Sequence, residues 1–124
     1  MNLPQAVVVH GLAQAKRAVE VGPVTLLSAP GAALYAGCGW WRALVKASGT
    51  TGPDVLDCGD APGRAMEALR AGCLIIVLDP ACPAASLISA RAAAVGAQVL
   101  AARPPALDLA TPGAARGLQA WLAG

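Results

Sequence analysis

The sequence predicts an α/β protein: a single domain, 1–124, built as a three-layer, doubly wound parallel sheet of about five strands, flavodoxin-like, with strand order 2-1-3-4-5. Three observations predict it. Short continuous apolar runs alternate with longer stretches of helical period along the whole chain. Glycines 22, 72 and 96 each stand between a helical stretch and the next apolar run, where a helix C′ residue belongs. Finally, 56% hydrophobic and 13% charged residues exclude a disordered chain, and 124 residues hold one core.

The elements follow in order. Ala6-Val7-Val8-Val9 is an apolar run of the kind buried on both faces of a parallel sheet. Leu12 to Val21 is a helix, with Leu12, Ala15 and Val19 on one face and Lys16, Arg17 and Glu20 off it. Val24-Thr25-Leu26-Leu27 is the second strand and Ala32 to Ala47 the second helix. Val55-Leu56, closed by Asp57, is the third strand, and Pro62 to Ala71 the third helix, with Pro at its first position. Leu74-Ile75-Ile76-Val77-Leu78 is the clearest strand of all, followed by a helix over Pro83 to Val95. Gln98-Val99-Leu100-Ala101 is the fifth strand, and Pro112 to Leu122 the last helix, with Thr111 placed to cap it.

Five strands alternating with five helices imply parallel pairing and right-handed crossovers. The order 2-1-3-4-5 puts the first and fourth strands, the most apolar, inside the sheet, and leaves the second and fifth at its edges. The fragment Glu67-Ala68-Leu69-Arg70-Ala71-Gly72, with Ile76-Val77-Leu78-Asp79, resembles a βα unit of phosphate-binding aldolase-type barrels. It spans about a tenth of the chain and implies no activity, and five units are too few for an eight-unit barrel.

Composition bounds the core and the partners. Thirty residues are alanine and none is phenylalanine, so the core rests on Val, Leu and Ile with small-residue packing. Such a core buries less area per residue, which favours a homo-oligomer, a dimer in the simplest case. A net charge of +2 gives no basic footprint for nucleic acid. No charged residue falls between Glu20 and Arg42, yet Gly22-Pro23, Pro30-Gly31, Thr25 and Ser28 interrupt the stretch and argue against a membrane span. The cysteines at 38, 58, 73 and 82 include no Cys-x2-Cys pair, and His10 is the single histidine, so no metal site is predicted. Met1-Asn2-Leu3-Pro4 lacks a leader pattern. Free thiols in a cytoplasmic protein are expected.

Ligands of open parallel sheets bind beyond the carboxyl ends of the strands. His10, Ser28, Gly31, Asp57, Cys58, Asp79 and Arg103 stand there and are the candidate ligand-binding residues. His10 is the general-base candidate, because histidine is the residue type whose unperturbed pKa lies near neutrality. Asp60 reads as an N-cap, whereas capping does not account for Asp57. Cys58, next to a helix start, reads as either a nucleophile or a buried small residue. The Ser28–Gly31 turn offers amides to an anion, but no phosphate-loop or dinucleotide fingerprint is present, and no cofactor is indicated. In the order 2-1-3-4-5 the crevice opens between the first and third strands, with His10 and Asp57 on its two sides.

On the second helix, Leu34, Cys38, Trp41 and Val45 form the stripe expected to face the sheet, and Ala33, Trp40, Leu44 and Ala47 a second one. Trp40 and Leu44 are therefore the candidate subunit contacts. Three functions compete: a small-molecule-binding α/β domain, catalytic or not; a self-associating structural or regulatory domain; and a redox or metal protein built on Cys58 and Cys82.

Overall fold

A computed structural model describes residues 2–124; Met1 lies outside them. The chain runs β1 (Ala6–Val8), α1 (Leu12–Val21), β2 (Thr25–Leu27), α2 (Ala32–Tyr35), α3 (Gly37–Ser48), β3 (Asp54–Asp57), α4 (Pro62–Arg70), β4 (Ile75–Val77), α5 (Ala85–Ala94), β5 (Gln98–Leu100), β6 (Ala106–Asp108), a 3-10 turn (Ala114–Gly117) and α6 (Leu118–Leu122). It is the α/β fold expected: one all-parallel sheet flanked by helices.

Strand number and order differ from the expectation. Six strands lie in the order β5-β4-β3-β2-β1-β6. β1 and β4, the apolar strands, are interior and β5 is at an edge, as their sequences ask. β2 is interior as well, because the one polar side chain that argued for an edge is satisfied inside: the Thr25 hydroxyl donates to the Pro4 carbonyl at 2.7 Å. The second edge is β6, which Pro104-Pro105 disguises as loop. From β1 to β5 every step moves to the next neighbour in the same direction. Right-handed crossovers then carry successive helices onto the same face.

Two sets of strand side chains point opposite ways. Val7, Leu26, Leu56 and Ile76 join the helices in the main core, against Ala15, Ala18, Trp41, Ala65, Ala68 and Ile88. Alanines on the helices let them approach the sheet closely. Val8, Leu27, Val55, Ile75 and Val77 form a second cluster that includes no helix residue, with Leu3, Leu100 and Ala106 against it. These side chains are nevertheless buried. Chain reach explains why. Five strand spacings separate β5 from β6, about 24 Å in a flat sheet. The six steps from Leu100 to Ala106 span at most about 20–22 Å. The sheet therefore curls, and residues 101–105 form a strap that joins its two edges while its inner face closes on itself.

Local chemistry sets the remaining differences. The second helix breaks at Gly37, whose φ of +85° no helix accommodates, and α3 starts anew there. The break shifts the helical phase, so Leu34 is exposed while Trp41 and Val45 of the expected stripe are buried. The fifth helix begins at Ala85 rather than at Pro83. The chain end winds into a 3-10 turn before α6, and Thr111 makes no side-chain cap. α6 is anchored instead by the Trp121 indole N–H, which donates to the Ala6 carbonyl at 2.7 Å.

Candidate functional site

The carboxyl ends of β1, β3, β4 and β6 gather most of the chain's polar chemistry, and the strap brings in one more group. Asp57 closes β3 and is only 4% exposed. Its Oδ1 accepts the Gly59 amide at 2.7 Å, and its Oδ2 accepts Arg103 Nη1 at 2.8 Å. Arg103 thus fastens the strap across the mouth of the curled sheet. Gly59, at φ +57°, turns the chain so that its amide meets that carboxylate, and a side chain there would press on Leu34.

A second pair stands at the mouth's other side. His10 Nε2 lies 2.7 Å from Asp108 Oδ1, joining the ends of β1 and β6. Asp108 Oδ1 also accepts the Ala110 amide at 2.9 Å. Burial works to raise the Asp108 pKa, but the Ala110 amide, His10 and the charge of Arg103 outweigh it, and the carboxyl is held below its ordinary range. Arg103 therefore acts on carboxylates from both β3 and β6, which is what a curled sheet requires. Asp79 is exposed beside Asp57, with its Oδ1 on the Ala81 amide at 2.9 Å. Asp57, Asp60, Asp79, Arg103 and the backbone of Gly59 and Ala101 bound an open cleft of about 420 Å³.

The other sequence candidates play different parts. Ser28 is fully buried; its Oγ accepts the Asp57 amide at 2.9 Å and donates to the Ala29 carbonyl, so it ties β2 to β3 with no hydroxyl to spare. Gly31 takes φ +65° and opens only the four-residue α2, too short to present an anion site. Its Cα lies 3.8 Å from where a Gly59 side chain would start, so these two loops pack against each other. Cys58 points into the helix-covered core, and burial above all, with Cys73, Asp57 and Cys38 adding, pushes its thiol up to about 12. It sits in the core as a buried small residue. Cys82 is buried too, and all four cysteines are free. Asp60 makes no cap: α4 starts after Ala61 without a side-chain hydrogen bond, which leaves Asp60 exposed at the cleft.

The crevice expected between the first and third strands is absent, because β2 lies between them. His10 and Asp57 belong to separate polar pairs, linked through Arg103. Asp108 was not singled out by sequence; the signal was the alternation Ala106-Leu107-Asp108-Leu109 after two prolines. Trp40 is half-exposed and tilted against Trp41, with ring centroids 6.0 Å apart, whereas Leu44 is buried within the chain's own core. A larger hollow, about 570 Å³, opens at the amino edge between Pro53, Leu74 and Gln98. Its one ionisable group, Asp54, is engaged by the Trp41 indole N–H at 3.1 Å and by Arg42. Comparison with family models, curated proteins and solved structures finds no match for this chain.

Proposed function

We propose that this domain binds a small polar molecule at the carboxyl mouth of its sheet, in the cleft beside the Asp57–Arg103 pair. The observation that carries the reading is that pair: a buried carboxylate held by a guanidinium from the strap, at the wall of an open cleft. Asp57, Asp60, Asp79 and Asp108 outnumber Arg103 and His10 around the mouth, so a hydroxylated or cationic ligand fits its charge better than an anion. The reading stops at binding. His10 held by Asp108 has the arrangement of an oriented base, but the Ser28 hydroxyl and the Cys58 and Cys82 thiols on these loops are all buried, so none of the three is presented to it as a nucleophile.

Thermal-shift screening against polyols, sugars and amines, with carboxylates and phosphates as the contrasting set, tests the proposal. Hits are expected in the first set and should weaken at least about tenfold in Asp79→Ala, about 1.4 kcal/mol. Hits confined to the second set, or indifferent to Asp79→Ala, would contradict it.

A second reading is self-association, favoured by the exposed apolar side chains of a protein with few charges: Trp40, Leu74, Leu87 and Val95 all reach solvent. Four free cysteines favour a reducing compartment for either function.

A further inference from the structure

The exposed apolar side chains and the charges are sorted between the two ends of the sheet. At the carboxyl end, Leu12 opens α1, Leu34 and Tyr35 lie on α2, Trp40 is in the first turn of α3, and Leu87 is in the first turn of α5. At the amino end, Val21 closes α1, Val95 follows α5, and Leu74 precedes β4. All the large exposed apolar side chains among the described residues thus fall at one end or the other.

The charges divide as well. Asp60 and Asp79 are exposed at the carboxyl cleft, and Leu34 packs against the position of Gly59, the neighbour of Asp60. At the amino end, α4 and α5 enclose a hollow of about 330 Å³ with an apolar floor of Met66, Leu69 and Val95, bordered by Arg70 and Arg91. Neither arginine has an ion-pair partner among the described residues, and the nearest acid on α4, Glu67, is engaged by Arg64 at 3.2 Å. A separate hollow at this end is lined by Leu74, Gly96 and Gln98, and the Leu74 carbonyl accepts the Gln98 amide. The hollow between α4 and α5 therefore offers two arginines around apolar side chains, and the carboxyl cleft offers Asp57, Asp60 and Asp79 against the single Arg103.

We infer that copies of this chain associate head to tail, the Arg70–Arg91 hollow at the amino end of one docking on the Asp60–Asp79 rim at the carboxyl end of the next. The occupant is a second copy because the complementary surface is on this chain itself. Such a contact is heterologous, and it grows into a ring or an open stack rather than a two-fold dimer. The inference rests on the self-association reading and adds its surfaces, polarity and charge. The Asp60–Asp79 rim is also the wall of the proposed ligand cleft, and because no ligand enters the test the two readings fail separately.

Sedimentation velocity on the whole chain, over a micromolar to millimolar series, reads the association. Two variants reverse one end each: Arg70→Glu with Arg91→Glu, and Asp60→Lys with Asp79→Lys. All four side chains are exposed, and circular dichroism checks that both variants keep the fold. The wild type should associate, and weaken at least about tenfold as salt rises from about 0.01 M to about 1 M, where screening shortens from about 30 Å to about 3 Å. Each variant alone should stay monomeric, and an equimolar mixture should associate again, because a reversed amino end then meets a reversed carboxyl end. A wild type that forms a dimer indifferent to both variants would overturn the head-to-tail contact and leave self-association standing. A wild type that stays monomeric throughout would overturn both. A mixture that fails to recover association would also refute the pairing of these two ends.

Discussion

Removing the carboxylate of Asp57 tests what holds the mouth together. Asp57→Ala deletes the acceptor of the half-buried Gly59 amide and the partner of Arg103. A hydrogen bond to a charged group contributes about 1.5–3 kcal/mol. The ion pair lies between the limits for exposed and buried pairs, because the Arg103 side chain is 26% exposed and that of Asp57 is 6% exposed. Solvent at the arginine reduces its share to about 1 kcal/mol. The loss should come to about 3 kcal/mol, and a urea slope of about 2 kcal/mol/M turns it into a midpoint lower by about 1.5 M. Asp57→Asn keeps an oxygen for the Gly59 amide and should lose about 1 kcal/mol. Tryptophan fluorescence during urea unfolding reads both values. Combining Asp57→Asn with Arg103→Ala should show a coupling of about 1 kcal/mol. The reasoning is refuted if the two substitutions add without coupling, or if Asp57→Ala costs no more than Asp57→Asn.

Trp41 is fully buried with its indole N–H on Asp54, so Trp41→Ala should cost about 3–5 kcal/mol, while Trp40→Ala, at a half-exposed site, should cost about 1 kcal/mol or less in chemical denaturation. Gly52→Ala should destabilise by about 1–3 kcal/mol, because its new Cβ would sit 2.6 Å from the Val24 carbonyl oxygen, a backbone atom that cannot swing aside; a neutral result would mean the loop is looser than described. Burial raises the thiols of Cys58 to about 12 and Cys73 to about 11, above an unfolded value of about 8.5. A pKa raised on folding leaves the contribution complete below about 8.5 and removes it as pH climbs toward those values. Melting temperature should therefore fall through that alkaline window, and Cys58→Ala should fall less; equal slopes would contradict the assignment. Asp108 has the opposite sign: its lowered pKa gives a contribution present at neutral pH and lost as pH falls through the carboxylate range, which Asp108→Asn should remove from the acid limb of the stability curve.

The strands with strong apolar runs were legible because burial on both faces leaves them no polar positions, as at Ile75–Val77 and Ala6–Val8. Their order was not. Local pattern says that a strand is interior but not which neighbour it pairs with, and Thr25 looked like an edge residue although its hydroxyl finds the Pro4 carbonyl within the same chain. β6 was hidden by its two prolines, and with it went Asp108 and the partner of His10. Asp57 and Arg103 were legible as residues that close strands, since loops at that end carry side chains no core requires. That they meet was not legible, for 46 residues separate them and only the curl of the sheet brings the strap over β3. Cys58 misled for a simpler reason: its neighbours Asp57 and Gly59 face the mouth, and one step along a strand end turns a side chain to the other face.

Ligand binding is proposed at the carboxyl mouth, bounded by Asp57, Arg103, Asp79 and the His10–Asp108 pair. Amide chemical-shift mapping on the isotopically labelled chain, titrated with the hydroxylated and cationic compounds that shift its melting temperature, tests it most directly. The amides of Gly11, Gly59, Ala81, Arg103 and Ala110 should move together and saturably, while those of Gly22, Gly72 and Gly96 at the opposite edge stay in place. Saturable shifts at Gly22, Gly72 and Gly96, with the mouth unmoved, would contradict it.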